Sequence, residues 1–169
     1  MQGKEGCPNE EFYRLVNQYQ TRLMRMCYML LKNRQYAEDA TQETFLKAFL
    51  HYGTLRDKSK EKAWLMAIAI NTCRMMLRSR WIKNIQRSLP DPEEERAFQP
   101  FPIDEIMLHI EVERLPYRQR EAVLLYYYQG MSTGEVAKCL NVSQSLVSSR
   151  LKRARKQLKN ALNGGDTHE

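Results

Sequence analysis

The side chains best suited to acting on a partner lie between Ser143 and Lys156. Gln144, Ser145, Ser148 and Ser149 carry short amide and hydroxyl groups, and Arg150, Lys152, Arg153 and Lys156 follow them. From Ser143 to Asn160 there are six basic residues and no acid. Val147, Leu151, Ala154 and Leu158 recur at helical spacing, so a helix here buries that stripe and turns the polar groups outward. Short polar groups near the N-terminal end can reach base edges in a major groove, while the cations behind them meet phosphates. A basic solvated helix in a helical bundle is the plainer alternative. The flanking residues favour DNA. Ser132-x-x-Glu135 is a capping box that starts a preceding helix. Asn141-Val142-Ser143 makes a tight turn, and Ser143 can cap the second helix. Cap, turn and charge asymmetry together make Met131 to Leu158 a helix-turn-helix.

Two further constellations lie upstream. Asn71, Arg74 and Arg78 stand at i, i+3 and i+7, with Arg80 and Lys83 just beyond. An amide beside a row of arginines could contact single-stranded or melted DNA, with Trp64 or Trp81 available to stack on bases. A solvated arginine row is the alternative, and for both tryptophans a place in the core is favoured. Glu38, Asp39, Gln42 and Glu43 form two i,i+4 rows. Asp39 and Glu43 are a like-charge pair costing roughly a few tenths of a kcal/mol. Acids near a helix N-terminus favour the macrodipole, which accounts for Glu38 and Asp39 better than for Glu43. A docking surface for a basic partner is the other reading, and the residues alone leave the two open.

The elements that must position these groups are helical. Phe12, Leu15, Val16, Tyr19, Leu23, Met26, Cys27, Leu30 and Leu31 predict a long core helix opening at Asn9 or Glu10, with Lys32 to Gln35 as a connection. A second helix is expected from about Tyr36 to Tyr52, with Phe45, Ala48, Phe49 and Tyr52 inward. Gly53 to Lys62 reads as a charged loop. A third helix runs from about Glu61 to Ile85, with Trp64, Leu65, Ile68, Ala69, Thr72 and Met75 or Met76 as core. Four prolines between Pro90 and Pro102 forbid a regular helix there. That stretch is acidic through Asp91, Glu93, Glu94, Glu95 and Asp104, opposite in charge to the helices on either side, and is expected to fold back on them in the free protein. Ile103, Ile106, Met107 and Ile110 begin a second helical unit, whose next helix starts after Pro116 and stops at Gly130. The expected architecture is all-α: two small helical domains, 1–85 and 105–162, a flexible acidic, proline-containing linker at 86–104, and a disordered tail at 163–169.

Composition agrees without deciding. The 169 residues carry a net charge of +7 and a pI near 9.3, which favours a polyanionic partner. Cys7, Cys27, Cys73 and Cys139 match no zinc or redox spacing, and a reducing cytosol fits them. The N-terminus has no signal-peptide core, and the longest apolar run, Ala63 to Ile70, is too short to span a membrane. His51, His109 and His168 are unclustered, and no P-loop, dinucleotide turn or nucleophile elbow is present. No metal, cofactor or catalytic site is expected.

The residues carry a resemblance. Tyr36-AEDATQETF-Leu46 resembles the D-A-E-D-x-x-Q-E-T-F stretch in region 2 of extracytoplasmic-function sigma factors of the sigma-70 family. Trp64 to Asn71 resembles the W-L-x-x-I-A-x-N segment that follows it, and Leu115 to Leu158 resembles region 4 almost throughout. The resemblance implies a subunit that binds core RNA polymerase, directs it to promoters and helps melt the DNA, with no catalysis of its own. It implies that Glu38, Asp39, Gln42 and Glu43 dock on the clamp helices of the largest polymerase subunit, which settles the acidic face as a docking surface. Asn71, with Arg74, Arg78 and the loop Gly53 to Lys62, would capture melted −10 bases. The helix from Ser143 would read the −35 element, and its domain would face the polymerase flap. A cytoplasmic location and an anti-sigma partner, often membrane-bound, are implied as well. The sequence departs from the family at Glu61, where an aromatic is usual, at Met66, Ala67 and Ile70, which replace a common Tyr and two common Arg, and at Met75, where an acid is frequent. A free-standing DNA-binding regulator is the alternative, and the acidic face speaks against it. A nucleic-acid enzyme is the third reading and lacks any motif.

Overall fold

The computed structural model describes residues 8–83, 101–102 and 105–164, and all regular structure among them is helical. Helix α1 spans Pro8–Leu31. Proline at its start and Glu10 and Glu11 in its first turn suit a helix N-terminus. It buries Leu15, Tyr19, Leu23, Met26, Cys27 and Leu30 along one stripe. The helix ends at Lys32, whose φ is 54°. The next residue, Asn33, caps α2, its Oδ1 accepting from the Tyr36 N–H at 2.9 Å. That cap is why α2, Arg34–His51, begins two residues before the expected start.

The inward face of α2 keeps the expected Ala48 but differs from the expected one at Phe49. Ala37, Ala40, Thr41, Thr44 and Ala48 are buried, whereas Phe49 is 53% exposed and meets Phe12 edge-on at 5.1 Å. The small residues let the neighbouring helices approach closely; Phe49 is displaced to the rim, Phe45 is partly buried, and Tyr52, just past the helix, is buried as expected. Thr41 and Thr44 satisfy their buried hydroxyls by donating to the carbonyls of Ala37 and Ala40, each at 2.7 Å. Two single turns of 3-10 helix, Tyr52–Thr54 and Lys58–Lys60, shape the loop before α3, Glu61–Lys83. Its core side is Leu65, Met66, Ala69, Ile70, Thr72 and Cys73, with Trp64 only partly buried and Met75 55% exposed. Met66 and Ile70, two of the positions where the sequence departs from the resemblance, are core residues here. The Sγ atoms of Cys27 and Cys73 lie 3.7 Å apart between α1 and α3. The hydrogen bond to Cys27 and burial push the Cys73 thiol well above its ordinary pKa, which makes it a packing group, not a nucleophile.

The second half comprises α4 (Ile106–Glu113), α5 (Tyr117–Val123) running on through a π-helical turn (Leu124–Tyr128), α6 (Thr133–Leu140) and α7 (Gln144–Asn163). Gly130, at φ 65°, follows the π turn. The capping box at α6 is complete: Ser132 Oγ accepts from the Glu135 N–H at 3.2 Å, and the Glu135 carboxylate accepts from the Ser132 N–H at 2.8 Å. Asn141 adopts the left-handed conformation, and the Val142 N–H donates back to the Ala137 carbonyl at 3.0 Å. Ser143 Oγ then accepts from the Leu146 N–H at 3.2 Å and opens α7. Because the box supplies two local hydrogen bonds, Ser132→Ala is expected to cost about 1 kcal/mol. Urea denaturation should show a lower midpoint at unchanged slope.

The two halves are packed together. A single apolar cluster runs through both. Gln129 donates from Nε2 to the Arg22 carbonyl of α1 at 3.4 Å, and Arg25 lies over the Phe101 ring at 5.8 Å. A cavity of about 130 Å³ sits in this seam, lined in part by Arg22, Arg25, Tyr128 and Gln129. The expected fold-back of the acidic linker falls largely on residues outside those described. Of the tail expected to be disordered at 163–169, Asn163 is instead the last residue of α7 and Gly164 its cap, because the Gly164 N–H donates back to the Asn160 carbonyl, and the rest lies outside the described residues.

Candidate nucleic-acid and docking interfaces

Helix α7 presents two faces. Val147, Leu151 and Ala154 are buried, while Gln144, Ser145, Ser148, Ser149, Lys152, Arg153 and Lys156 are exposed. The αL turn at Asn141 and the two serine caps fix the angle at which α7 leaves α6. Gln144 donates to Thr133 Oγ1 at 2.7 Å, which ties the first turn of α7 to the start of α6. Arg150 is the exception among the cations. It is only partly exposed, and burial holds its pKa below the ordinary arginine value. Its position reflects the seam between the halves more than the outward face.

On α3, Asn71 and Arg78 are exposed, as the helical spacing requires. Arg74 is turned instead to the second half. Its Nε donates to Glu121 Oε1 at 2.7 Å and its Nη2 to Oε2 at 2.8 Å. The Glu121 side chain is fully buried, and Arg118 adds a second cation at 3.7 Å. The bond to Glu121 raises the Arg74 pKa further above its already high value. Arg80, Trp81 and Lys83 have side chains outside those described. Sequence reasoning missed Glu121 because its partner lies 47 residues away and no local pattern marks it.

The acidic residues of α2 remain at the surface. Asp39 and Gln42 are exposed, and Glu38 and Glu43 partly so. Each acid has an intrahelical neighbour: Glu38 meets Arg34 at 2.9 Å, Asp39 accepts from Gln35 at 3.2 Å, and Glu43 faces Lys47 at 3.5 Å. Solvated pairs of this kind contribute roughly 0.3–0.5 kcal/mol and yield readily to a partner's cations. Among the described residues, no group of His, Cys, Asp or Glu is arranged to hold a metal.

Comparison with known proteins agrees with this geometry. The family model for Sigma-70 region 2 matches residues 15–82, and that for Sigma-70, region 4 matches residues 107–158. The ECF RNA polymerase sigma factor SigM of Bacillus subtilis is 30% identical over 165 residues, covering 95% of this chain and 98% of that protein. The probable RNA polymerase sigma factor RfaY of Xanthomonas campestris pv. campestris is 31% identical over 166 residues, although this chain spans 41% of its length. Among solved structures, the sigma factor RpoE of Bartonella quintana, in complex with the anti-sigma factor NepR, aligns with a TM-score of 0.72 at 25% identity, covering 91% of this chain and 98% of that one. A helix-turn-helix half joined to a helical half of this type defines a transcription initiation factor of the sigma-70 class. Within that class the chain belongs to the extracytoplasmic-function sigma factors, alternative sigma factors that direct transcription initiation.

Proposed function

We propose that the two halves act as a bipartite promoter reader mounted on RNA polymerase. In this reading residues 1–85 carry the core-binding and −10 functions, 86–104 link, and 105–162 read the −35 duplex. The observation that carries it is the exposed polar face of α7 on a doubly capped helix-turn-helix. Gln144, Ser145, Ser148 and Ser149 choose bases there, and Lys152, Arg153 and Lys156, joined by Arg150 once the seam opens, supply affinity and salt dependence. Asn71, with Arg78 and with Arg74 once it is released from Glu121, contacts the melted −10 strand. Glu38, Asp39, Gln42 and Glu43 dock on the polymerase clamp helices, and the second half faces the flap.

The chain acts by binding and strand capture, without a reaction of its own, in the cytoplasm. Among the described residues no helix is long and apolar enough to cross a membrane. The sigma factor RpoE of Bartonella quintana is known in complex with the anti-sigma factor NepR, which supports such a partner for this chain.

Run-off transcription with core polymerase and a cognate promoter tests the reading. A promoter-dependent transcript is expected only when the chain is added. Absence of both transcript and core binding would sink it. Asn71→Ala is expected to lower open-complex formation about five- to thirtyfold, the equivalent of roughly 1–2 kcal/mol of lost base contact. Permanganate reactivity of −10 thymines reads this directly, and affinity for core polymerase should stay unchanged.

A further inference from the structure

The loop ahead of α3 is fastened by a buried carboxylate. Glu61, the first residue of α3, is 5% exposed. Arg14 of α1 donates from Nη2 to both of its oxygens, at 3.1 and 3.0 Å, and the Tyr52 hydroxyl donates to Oε2 at 3.0 Å. The Tyr52 ring in turn carries Lys58 Nζ at 3.8 Å, and Lys58 pairs with Glu11 of α1 at 3.1 Å. Between them, Asp57 caps the Lys58–Lys60 turn by accepting from the Ser59 N–H at 3.0 Å and the Ser59 hydroxyl at 2.6 Å. The start of the loop, its second turn and the start of α3 are thus tied to each other and to α1 through one connected set of polar groups.

An acid is a costly occupant of this position. Burying a carboxylate carries a desolvation penalty that only close pairing offsets. The aromatic residue usual in the family would fill the space without that penalty. What Glu61 adds is direction, because charge-assisted hydrogen bonds fix orientation as well as distance. A loop held in one conformation before binding loses less entropy when it receives a ligand.

We propose that Glu61 is a positioning residue for −10 strand capture. Through Tyr52 and Arg14 it holds the Gly53 to Lys60 loop in the register needed to receive a flipped base, without touching DNA itself. This rests on the reading that the loop and Asn71 capture the melted strand.

The test uses the full chain with core polymerase and four promoter templates that differ only in the flipped −10 base. Glu61→Gln keeps the size of the side chain and a hydrogen-bond acceptor for Tyr52, but removes the charge facing Arg14. Discrimination between the best and next-best base is expected to fall about fivefold, the scale of one weakened charge-assisted hydrogen bond. Core affinity should stay within about twofold of the parent, since the loop lies away from the acidic face of α2. Arg14→Gln should give the same loss, and the double variant no more than either alone, because both act through one unit. Glu61→Phe places there an aromatic of the kind the resemblance implies and guards against a folding failure. It is expected to transcribe with the same reduced discrimination as Glu61→Gln. An equal loss of transcript on all four templates, or full discrimination by Glu61→Phe, overturns the proposal. Asn71→Ala separates the two levels. If it abolishes discrimination while Glu61→Gln preserves it, the role of Glu61 alone fails. If Asn71→Ala also leaves discrimination intact, the underlying capture reading fails and takes this proposal with it.

Discussion

Replacing Glu121 with alanine is expected to part the two halves of the free chain. The Glu121 side chain is fully buried and receives two hydrogen bonds from Arg74, at 2.7 and 2.8 Å. Arg118 lies within 3.7 Å, and Arg150 faces the same carboxylate from α7. Without Glu121, the largely covered guanidinium groups of Arg74 and Arg150 would lose their shared counter-charge, while Arg118, 61% exposed, stays solvated. Removing one partner of a buried ion pair costs about 3–5 kcal/mol, because the other charge is stranded. Arg74 retains 20% side-chain exposure and can regain water by moving outward, so separation of the halves relieves the strain more cheaply than unfolding either one. The seam is already imperfectly filled, with its cavity of about 130 Å³. Distance measurement between one probe on α2 and another on α7 should report a longer separation, with helical content retained. An unchanged distance together with a lowered melting temperature would show that Glu121 supports its own half only.

The same variant bears on function. Two promoter elements roughly 25 base pairs apart lie on the order of 80 Å from each other at about 3.4 Å per step. Halves that share one apolar cluster cannot reach both, whereas the chain between Lys83 and Ile106, fully extended, spans on the order of 75 Å. On the proposed bipartite reading, binding to core polymerase would pull the seam open, and the cost of opening would lower the apparent affinity by the fraction of molecules already open. Glu121→Ala should accordingly bind core polymerase more tightly than the parent chain, by several-fold. Arg74 would join Asn71 and Arg78 on the exposed face of α3.

The elements legible in the sequence were those written locally. The capping box at Ser132 and Glu135, the turn at Asn141 and the cap at Ser143 each depend on residues within four positions of one another, and each formed as expected. The stripe of α7 was legible because Val147, Leu151 and Ala154 recur at helical spacing between runs of polar and basic residues. Helix α2 was harder. Its aromatic residues and its alanines and threonines both recur at helical spacing, and periodicity does not say which stripe a neighbouring helix will approach. Close packing against α1 chose the small residues and left Phe49 at the rim. Arg74 and Glu121 were illegible as a pair, because they lie 47 residues apart on different helices and no local pattern marks the contact. Glu61 was visible as a departure from the family pattern, but its partners Arg14 and Tyr52 come from other elements.

Glu43→Lys is expected to weaken binding to core polymerase by roughly thirtyfold or more, the scale set by reversing one member of a close interfacial charge pair. The native carboxylate is 43% exposed, with Lys47 at 3.5 Å as its intrahelical partner. Lysine there would sit beside Lys47 as a like-charge i,i+4 pair, costing the helix only about a few tenths of a kcal/mol. The folded state should therefore survive, and circular dichroism and the melting temperature should stay close to those of the parent. Fluorescence anisotropy of the labelled chain against core polymerase would measure the loss. Raising salt should shrink the difference between variant and parent, because the contact is electrostatic and solvent-accessible. Binding of the full chain to duplex −35 DNA should not fall, and the added positive charge would raise it slightly. A regulator that binds DNA alone would behave in the opposite way: Glu43→Lys would leave its function intact or improve it. A chain with a net charge of +7 has no use on DNA for a solvent-exposed acidic face, so the sign of this one response separates a polymerase subunit from a free-standing DNA-binding protein.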